Sequence, residues 1–397
     1  ITQCESISTE AAKLSSYQEC LKILKRIYDI FMKYNLELSA ADVKVNIGLM
    51  HAKNGYFNAA LDAFASAQEV YKKHGLLNAV VLVKLNIAVT YALQGSFETA
   101  LSYLQEVEEY LQNLRAAQAE IEAQGALILW ITAFLGRSIS VAHYKLGWNP
   151  RVSLRSSQSL DEADLWLNMG AVYTELGKYD MALDKLEAAR KSYEKRGLDV
   201  DQADVEFNIS SIYAELGQYQ KALGQLRNVE AVYKKYNLLE DQADVYLNAG
   251  SIYIELKQYD KALIELKKAQ EIYERKGLSV QLAYVLTNYG FIYLEKGDEE
   301  KARAHFLQAL KIFTEKSMKP YIAFLNMAVG DTYVNTKPEQ ALYYYHLALE
   351  NSKEIPEIEW RALYKISLVY SSLGKSRKAL EYCKKSIATL EVIRYFL

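Results

Sequence analysis

Cysteine is nearly absent from the 397 residues. Cys4, Cys20 and Cys383 form an odd, scattered set without Cys-x-x-Cys spacing or His/Cys pairs at metal-ligand distance, which argues against a disulfide framework or a structural zinc site. They read as free thiols of a reducing compartment, so a cytoplasmic location is the expectation. Proline occurs only 4 times, so long helices can run uninterrupted, and the composition suits an all-α chain. Net charge is also small, at -2, which disfavours a nucleic-acid binder needing a strongly basic face. No apolar run approaches the roughly eighteen residues of a membrane helix; the nearest is Gly125 to Leu135, so no membrane partner is expected. The chain begins at Ile1, and a missing signal peptide therefore carries little weight. His51, His74, His143, His305 and His346 are dispersed, and no nucleophile elbow, phosphate-binding glycine loop or aspartate-rich calcium loop is present. A non-enzymatic protein without metal or nucleotide cofactor is the expectation.

What the chain does have is self-similarity. Asn168, Asn208, Asn248 and Asn288 return every 40 residues, and Asn46 and Asn86 share the interval. Such a period marks stacked helical hairpins. In each unit a small residue follows the asparagine by two and a tyrosine follows that by three, as in Gly170/Tyr173, Ser210/Tyr213, Gly250/Tyr253 and Gly290/Tyr293. The small residue permits close helix contact. A turn comes next, at Gly177, Gly217, Lys257 and Gly297, where a left-handed residue ends the first helix. The second helix carries Ala182, Leu186, Ala189 and Tyr193 as one apolar stripe. It closes on basic pairs such as Lys195-Arg196, which suit the helix dipole, and stops at Gly197-Leu198, Asn237-Leu238 or Gly277-Leu278. The recurring tyrosines sit at packing positions and read as core.

Here the chain resembles the tetratricopeptide repeat family. Its W-x2-L-G-x2-Y pattern is nearly met by Trp166, Met169, Gly170 and Tyr173, followed by Ala182 and Ala189. Glu194, Lys234 and Glu274 stand where the family places a helix-ending proline, and the 40-residue unit exceeds the family's usual length of about 34. Units of this length are similar to those of kinesin light chains, of LGN/Pins polarity adaptors and of arrays preceding CHAT peptidase domains. The resemblance implies an α-solenoid, a right-handed superhelix of about nine to ten hairpins.

One face of each first helix carries a polar stripe: Asp164, Asn168 and Glu175; Asp204, Asn208 and Glu215; Asp244, Asn248 and Glu255; then Asn288 and Glu295, with Asn46 and Asn86 earlier. The resemblance implies a concave groove in which these asparagines hold the backbone of a partner's peptide, since a carboxamide can both donate and accept. The acidic rows would favour Lys or Arg in that peptide. The alternatives are interhelix hydrogen bonds that set repeat register for the asparagines, and a solvated face for the acids. Both roles can hold at once.

The order breaks where Gly95 and Gly147 stand 52 apart and Gly147 and Gly177 only 30. Residues 1–147 are therefore expected to form an N-terminal block and 162–397 a C-terminal one. Serine-rich 148–161 would be an exposed loop, a hinge, an insertion or a decayed repeat, and Leu111 to Leu129 an extended second helix. Toward the end the asparagine gives way to Ala328 and Lys365. The leading function is an adaptor binding a peptide segment of another protein. The alternatives are the sensor array of a larger effector, such as a CHAT-type peptidase, and self-association through end faces. A peptide-pheromone receptor with a DNA-binding head is disfavoured, because residues 1 to 40 show repeat helices and no basic helix-turn-helix.

Overall fold

Two kinds of helix alternate, because two hydrophobic patterns alternate in the sequence. The second helix of each hairpin (B) is amphipathic: Ala262, Leu266, Ala269 and Tyr273 are fully buried along one stripe, while Lys267 and Glu271 face water. The first (A) is apolar nearly all round. From Ala163 to Thr174 every residue but Trp166 is buried, the pattern of a helix packed on several sides.

The computed structural model describes residues 17–33, 36–123, 162–353 and 355–396. Among them every regular element is a helix. In chain order these are α1 (Tyr17–Lys33), α2 (Glu37–Lys53), α3 (Phe57–Lys73), α4 (Leu77–Gln94), α5 (Phe97–Ala123), α6 (Glu162–Glu175), α7 (Tyr179–Lys195), α8 (Asp199–Glu215) and α9 (Tyr219–Lys235). They continue as α10 (Leu239–Glu255), α11 (Tyr259–Lys276), α12 (Ser279–Glu295), α13 (Glu299–Glu315), α14 (Lys319–Asp331), α15 (Pro338–Asn351), α16 (Pro356–Ser372) and α17 (Ser376–Phe396). The protein is an all-α solenoid: successive helices pack as hairpins, and A helices also touch the next A helix, as α6 touches α8. Eight hairpins are described, with α1 preceding them, and the core is a series of local clusters.

Within a hairpin the small residue of the A helix receives a large side chain of the B helix. A β-carbon on Gly170 would stand 2.5 Å from Leu186 Cγ, and one on Gly290 would stand 2.3 Å from Phe306 Cε1. Ser210 takes the same place with its hydroxyl turned onto the Phe207 carbonyl at 2.6 Å.

Most helices end by one local motif. The amide of Lys178 donates to the Tyr173 carbonyl at 2.9 Å, and that of Leu198 to Tyr193 at 3.1 Å, each across a left-handed Gly177 or Gly197. Asn237, Lys257 and Ser317 hold the same positive φ of 55 to 56° without being glycine. Pro320, Pro338 and Pro356 fall in the first turns of α14, α15 and α16, where no amide hydrogen bond is lost.

The extended second helix expected over Leu111 to Leu129 is described as far as Ala123, where α5, which starts at Phe97, ends. Residues 124–161 lie outside the described residues, and with them the expected loop or hinge at 148–161. Helix α5 packs directly on α6, and Lys185 of α7 pairs with Glu108 of α5 at 2.5 Å, so the stack passes across this stretch of sequence. Both belong to one compact unit; a second begins inside α10, between Val245 and Tyr246. The sequence reading also missed one long apolar helix. By length and composition α4 could cross a membrane, yet it packs between α3 and α5 as an A helix, is buried over much of its length, and carries Lys84 and Asn86.

Gly290→Ala is expected to cost about 1–3 kcal/mol, because Phe306 must leave its place. Ser317→Gly, which relieves a left-handed non-glycine residue, is expected to stabilise by about 0.5–1 kcal/mol. Thermal melting followed by circular dichroism reads both signs.

Candidate functional site

The asparagine row lies inside the packing. Asn86, Asn168, Asn208, Asn248 and Asn288 are between 0% and 4% exposed, while Asn46 is half-buried. Asn288 shows why. Its Nδ2 donates to the Tyr284 carbonyl at 3.1 Å one turn back, and its Oδ1 accepts from Ser251 Oγ on the preceding A helix at 3.3 Å. The side chain thus ties two neighbouring A helices. Asn86 Nδ2 and Asn248 Oδ1 are buried without a hydrogen-bond partner.

The aspartates have a use that the sequence reading missed. Tyr193 Oη donates to Asp164, Tyr233 Oη to Asp204 at 2.8 Å, and Tyr71 Oη to Asp42 at 2.5 Å. Each pair joins an A helix to the B helix 29 residues on. Asp164 and Asp204 are 2% and 6% exposed, so they are not part of a solvated acidic face; Asp244 is half-buried. Where Tyr284 takes the aspartate's place, Phe313 takes the tyrosine's, and the two rings lie 5.3 Å apart with Tyr321 packed against both. Loss of the hydroxyl coincides with loss of its acceptor. The signal was present in the sequence as a 29-residue covariation between repeats.

The glutamates differ again. They lie at the C-terminal ends of the A helices, with Glu175 and Glu215 half-buried and Glu255 and Glu295 exposed. Tyr259 Oη donates to Glu295 Oε2 at 3.3 Å. Tyr179 is held the same way by Glu215; burial, then the charges of Glu215 and Glu175, push its hydroxyl up to about 12. This row is the accessible acidic edge. At the last A helix, where Lys365 replaces asparagine, the ammonium pairs with Asp331 at 2.7 Å, and Tyr345 Oη donates to the same carboxylate at 2.6 Å.

A family model described as tetratricopeptide repeat matches residues 161–235 and 241–315, and a second of the same description matches 361–388. No curated protein matches the sequence. Among solved structures, a Rap protein complexed with competence and sporulation factor is 15% identical, with 100% of this chain and 99% of that one covered and a TM-score of 0.60. The apo form of the quorum sensor NprR from B. thuringiensis is 14% identical, covering 98% of this chain and 99% of its own at a TM-score of 0.52. A STAND protein with a tetratricopeptide repeat sensor, PH0952 from Pyrococcus horikoshii, is 14% identical at a TM-score of 0.51; 95% of this chain matches 54% of that one. At these identities the likeness is one of fold.

Tyr233→Phe removes the hydroxyl that donates to the buried Asp204 carboxylate and is expected to cost about 1–3 kcal/mol. Phe313→Tyr, with no aspartate opposite, is expected to bring no gain. Melting temperatures of the two variants beside wild type check the pairing rule.

Proposed function

Because the chain is a tetratricopeptide-repeat protein, we propose that it is a non-enzymatic, cytoplasmic scaffold that holds a peptide segment of another protein along its A helices. The observation that carries this reading is the unused capacity of two buried asparagines of the row. Asn248 is 1% exposed and its Oδ1 has no partner, and the same holds for Nδ2 of Asn86 at 4%. A buried polar atom left unmatched costs about 1–3 kcal/mol, so an apolar side chain would serve packing better. An extended peptide offers an N–H and a C=O at each residue and matches a carboxamide's donors and acceptor without regard to its side chains.

Access requires neighbouring A helices to part. The peptide backbone would then replace contacts such as that between Ser251 and Asn288. The exposed Glu255 and Glu295 at the helix ends would select Lys or Arg in the peptide and speed encounter more than they add affinity. The fold supports the reading, since a Rap protein of this fold was solved with competence and sporulation factor.

A second reading, an array that serves a larger effector or assembles with itself, is favoured by one observation. Tyr364, Leu368, Leu380 and Ile387 on α16 and α17 are 46% to 57% exposed, an apolar face that a further domain or a second copy would cover. Light scattering across a concentration series separates self-association from a monomer.

For the first reading, a peptide selected from a display library against the wild-type chain is titrated into the triple variant Asn168→Ala, Asn208→Ala, Asn248→Ala. Affinity is expected to fall at least about tenfold with helical content retained. Unchanged affinity on an intact fold would sink the asparagine mechanism.

A further inference from the structure

The repeat period puts Trp166, Glu206 and Tyr246 at one position, two residues before the asparagine. Tyr246 lies toward the following B helix, with Lys268 Nζ 5.0 Å from its ring centroid. Glu206 brings no ring there. Beside it, between α7, α8 and α9, lies a cavity of about 410 Å³, whose walls include Arg190, Asp199, Glu206, Gln225, Asn228 and Val229.

The charges around this cavity do not balance. Glu194, Asp199 and Glu206 bring three carboxylates against the single guanidinium of Arg190. Arg190 is engaged elsewhere: it holds Glu187 at 2.8 Å and reaches Glu206 only at 3.5 Å, with its Nε lacking a hydrogen-bond partner. Asp199 is drawn to Lys235 at 2.8 Å and Tyr236 at 2.9 Å. The remaining contact on Glu206 is the neutral Gln225 amide, whose Nε2 donates to Oε2. Glu206 is thus a half-buried carboxylate whose one cation, Arg190, stands 3.5 Å away and is shared with Glu187, and burial holds it above the ordinary carboxylate range despite Arg190.

We propose that this cavity binds one guanidinium or ammonium group on an alkyl stem. The cation would sit on the Glu206 carboxylate and the side-chain carbonyls of Gln225 and Asn228, leaving Arg190 on Glu187. The stem would lie on Val229, which is 1% exposed. Two sources carry this chemistry, a free polyamine and an arginine or lysine side chain of a bound protein. The site is distinct from the asparagine row, because its cation-binding groups are Glu206, Gln225 and Asn228 and include none of Asn168, Asn208 and Asn248.

The test is calorimetric titration of the full chain with agmatine and, separately, with acetyl-Gly-Arg-Gly-amide. Saturable binding is expected, weakened at least about tenfold by Glu206→Gln and abolished by Glu206→Trp, which restores the bulk that Trp166 supplies one repeat earlier. The isosteric Glu206→Gln keeps the test valid should the tryptophan variant fail to fold. Tighter agmatine binding identifies a free amine as the ligand, and tighter tripeptide binding a protein side chain. No saturation by either probe below about 10 mM, or equal affinity in Glu206→Gln, would overturn the proposal. The triple asparagine variant should bind agmatine as wild type does, so failure here and failure of the peptide reading are distinguishable.

Discussion

The distance at which the two helices of a hairpin approach is set by a missing β-carbon. Gly48, Gly170, Gly250, Gly290 and Gly330 each receive a side chain of the facing helix: Phe64, Leu186, Leu266, Phe306 and Tyr345, at 2.3 to 2.8 Å from where a β-carbon would stand. The receiving residue hardly changes, while the inserted one ranges from leucine to tyrosine. Burying such a side chain is worth about 1.5–3 kcal/mol. The alanines one turn away on the B helix, such as Ala182 and Ala302, can be fully buried only because the helices are this close. The apolar stripe and the terminal tyrosines of each B helix follow from the same approach.

Much of this was legible in the chain. The B-helix stripe is read directly, because one face alone is apolar and the three- and four-residue steps stand out. The stops are legible too, even at Lys257, where the turn holds φ of 56° without glycine because its neighbours in sequence repeat the motif. The A helices were harder. Their apolar residues run all round, so periodicity identifies no inner face, and a polar stripe such as Asp164, Asn168 and Glu175 looks like a surface when it is mostly interior. Only packing distinguishes these cases: Asp164 meets Tyr193, Asn168 is buried, and Glu175 reaches the edge.

One stripe therefore divides into three kinds of polar residue. Asp164 and Asp204 are spent on tyrosines of their own hairpins, the glutamates fringe the helix ends, and the asparagines lie buried, Asn288 joining one A helix to the next. The exchange of Asp and Tyr for Tyr284 and Phe313 shows the first class to be an internal matter, since both partners change together. No such exchange accompanies the asparagines of the central repeats, which persist while neighbours at Trp166, Glu206 and Tyr246 vary freely. Residues that vary while the scaffold stays constant are where one repeat can acquire a pocket that its neighbours lack.

The recurring helix stop has an effect on how the chain tolerates change in its length. Where the stop recurs, a helix ends by a bond within its own last turn, such as Lys178 to Tyr173, and so carries no phase into the next. The step from Gly330 to its counterpart Ser367 is three residues shorter than the 40 that precede it, yet α16 still packs on α15. The array behaves as a row of separately clocked parts. An insertion or deletion between two stops is absorbed where it occurs, and the stack downstream resumes without a register error.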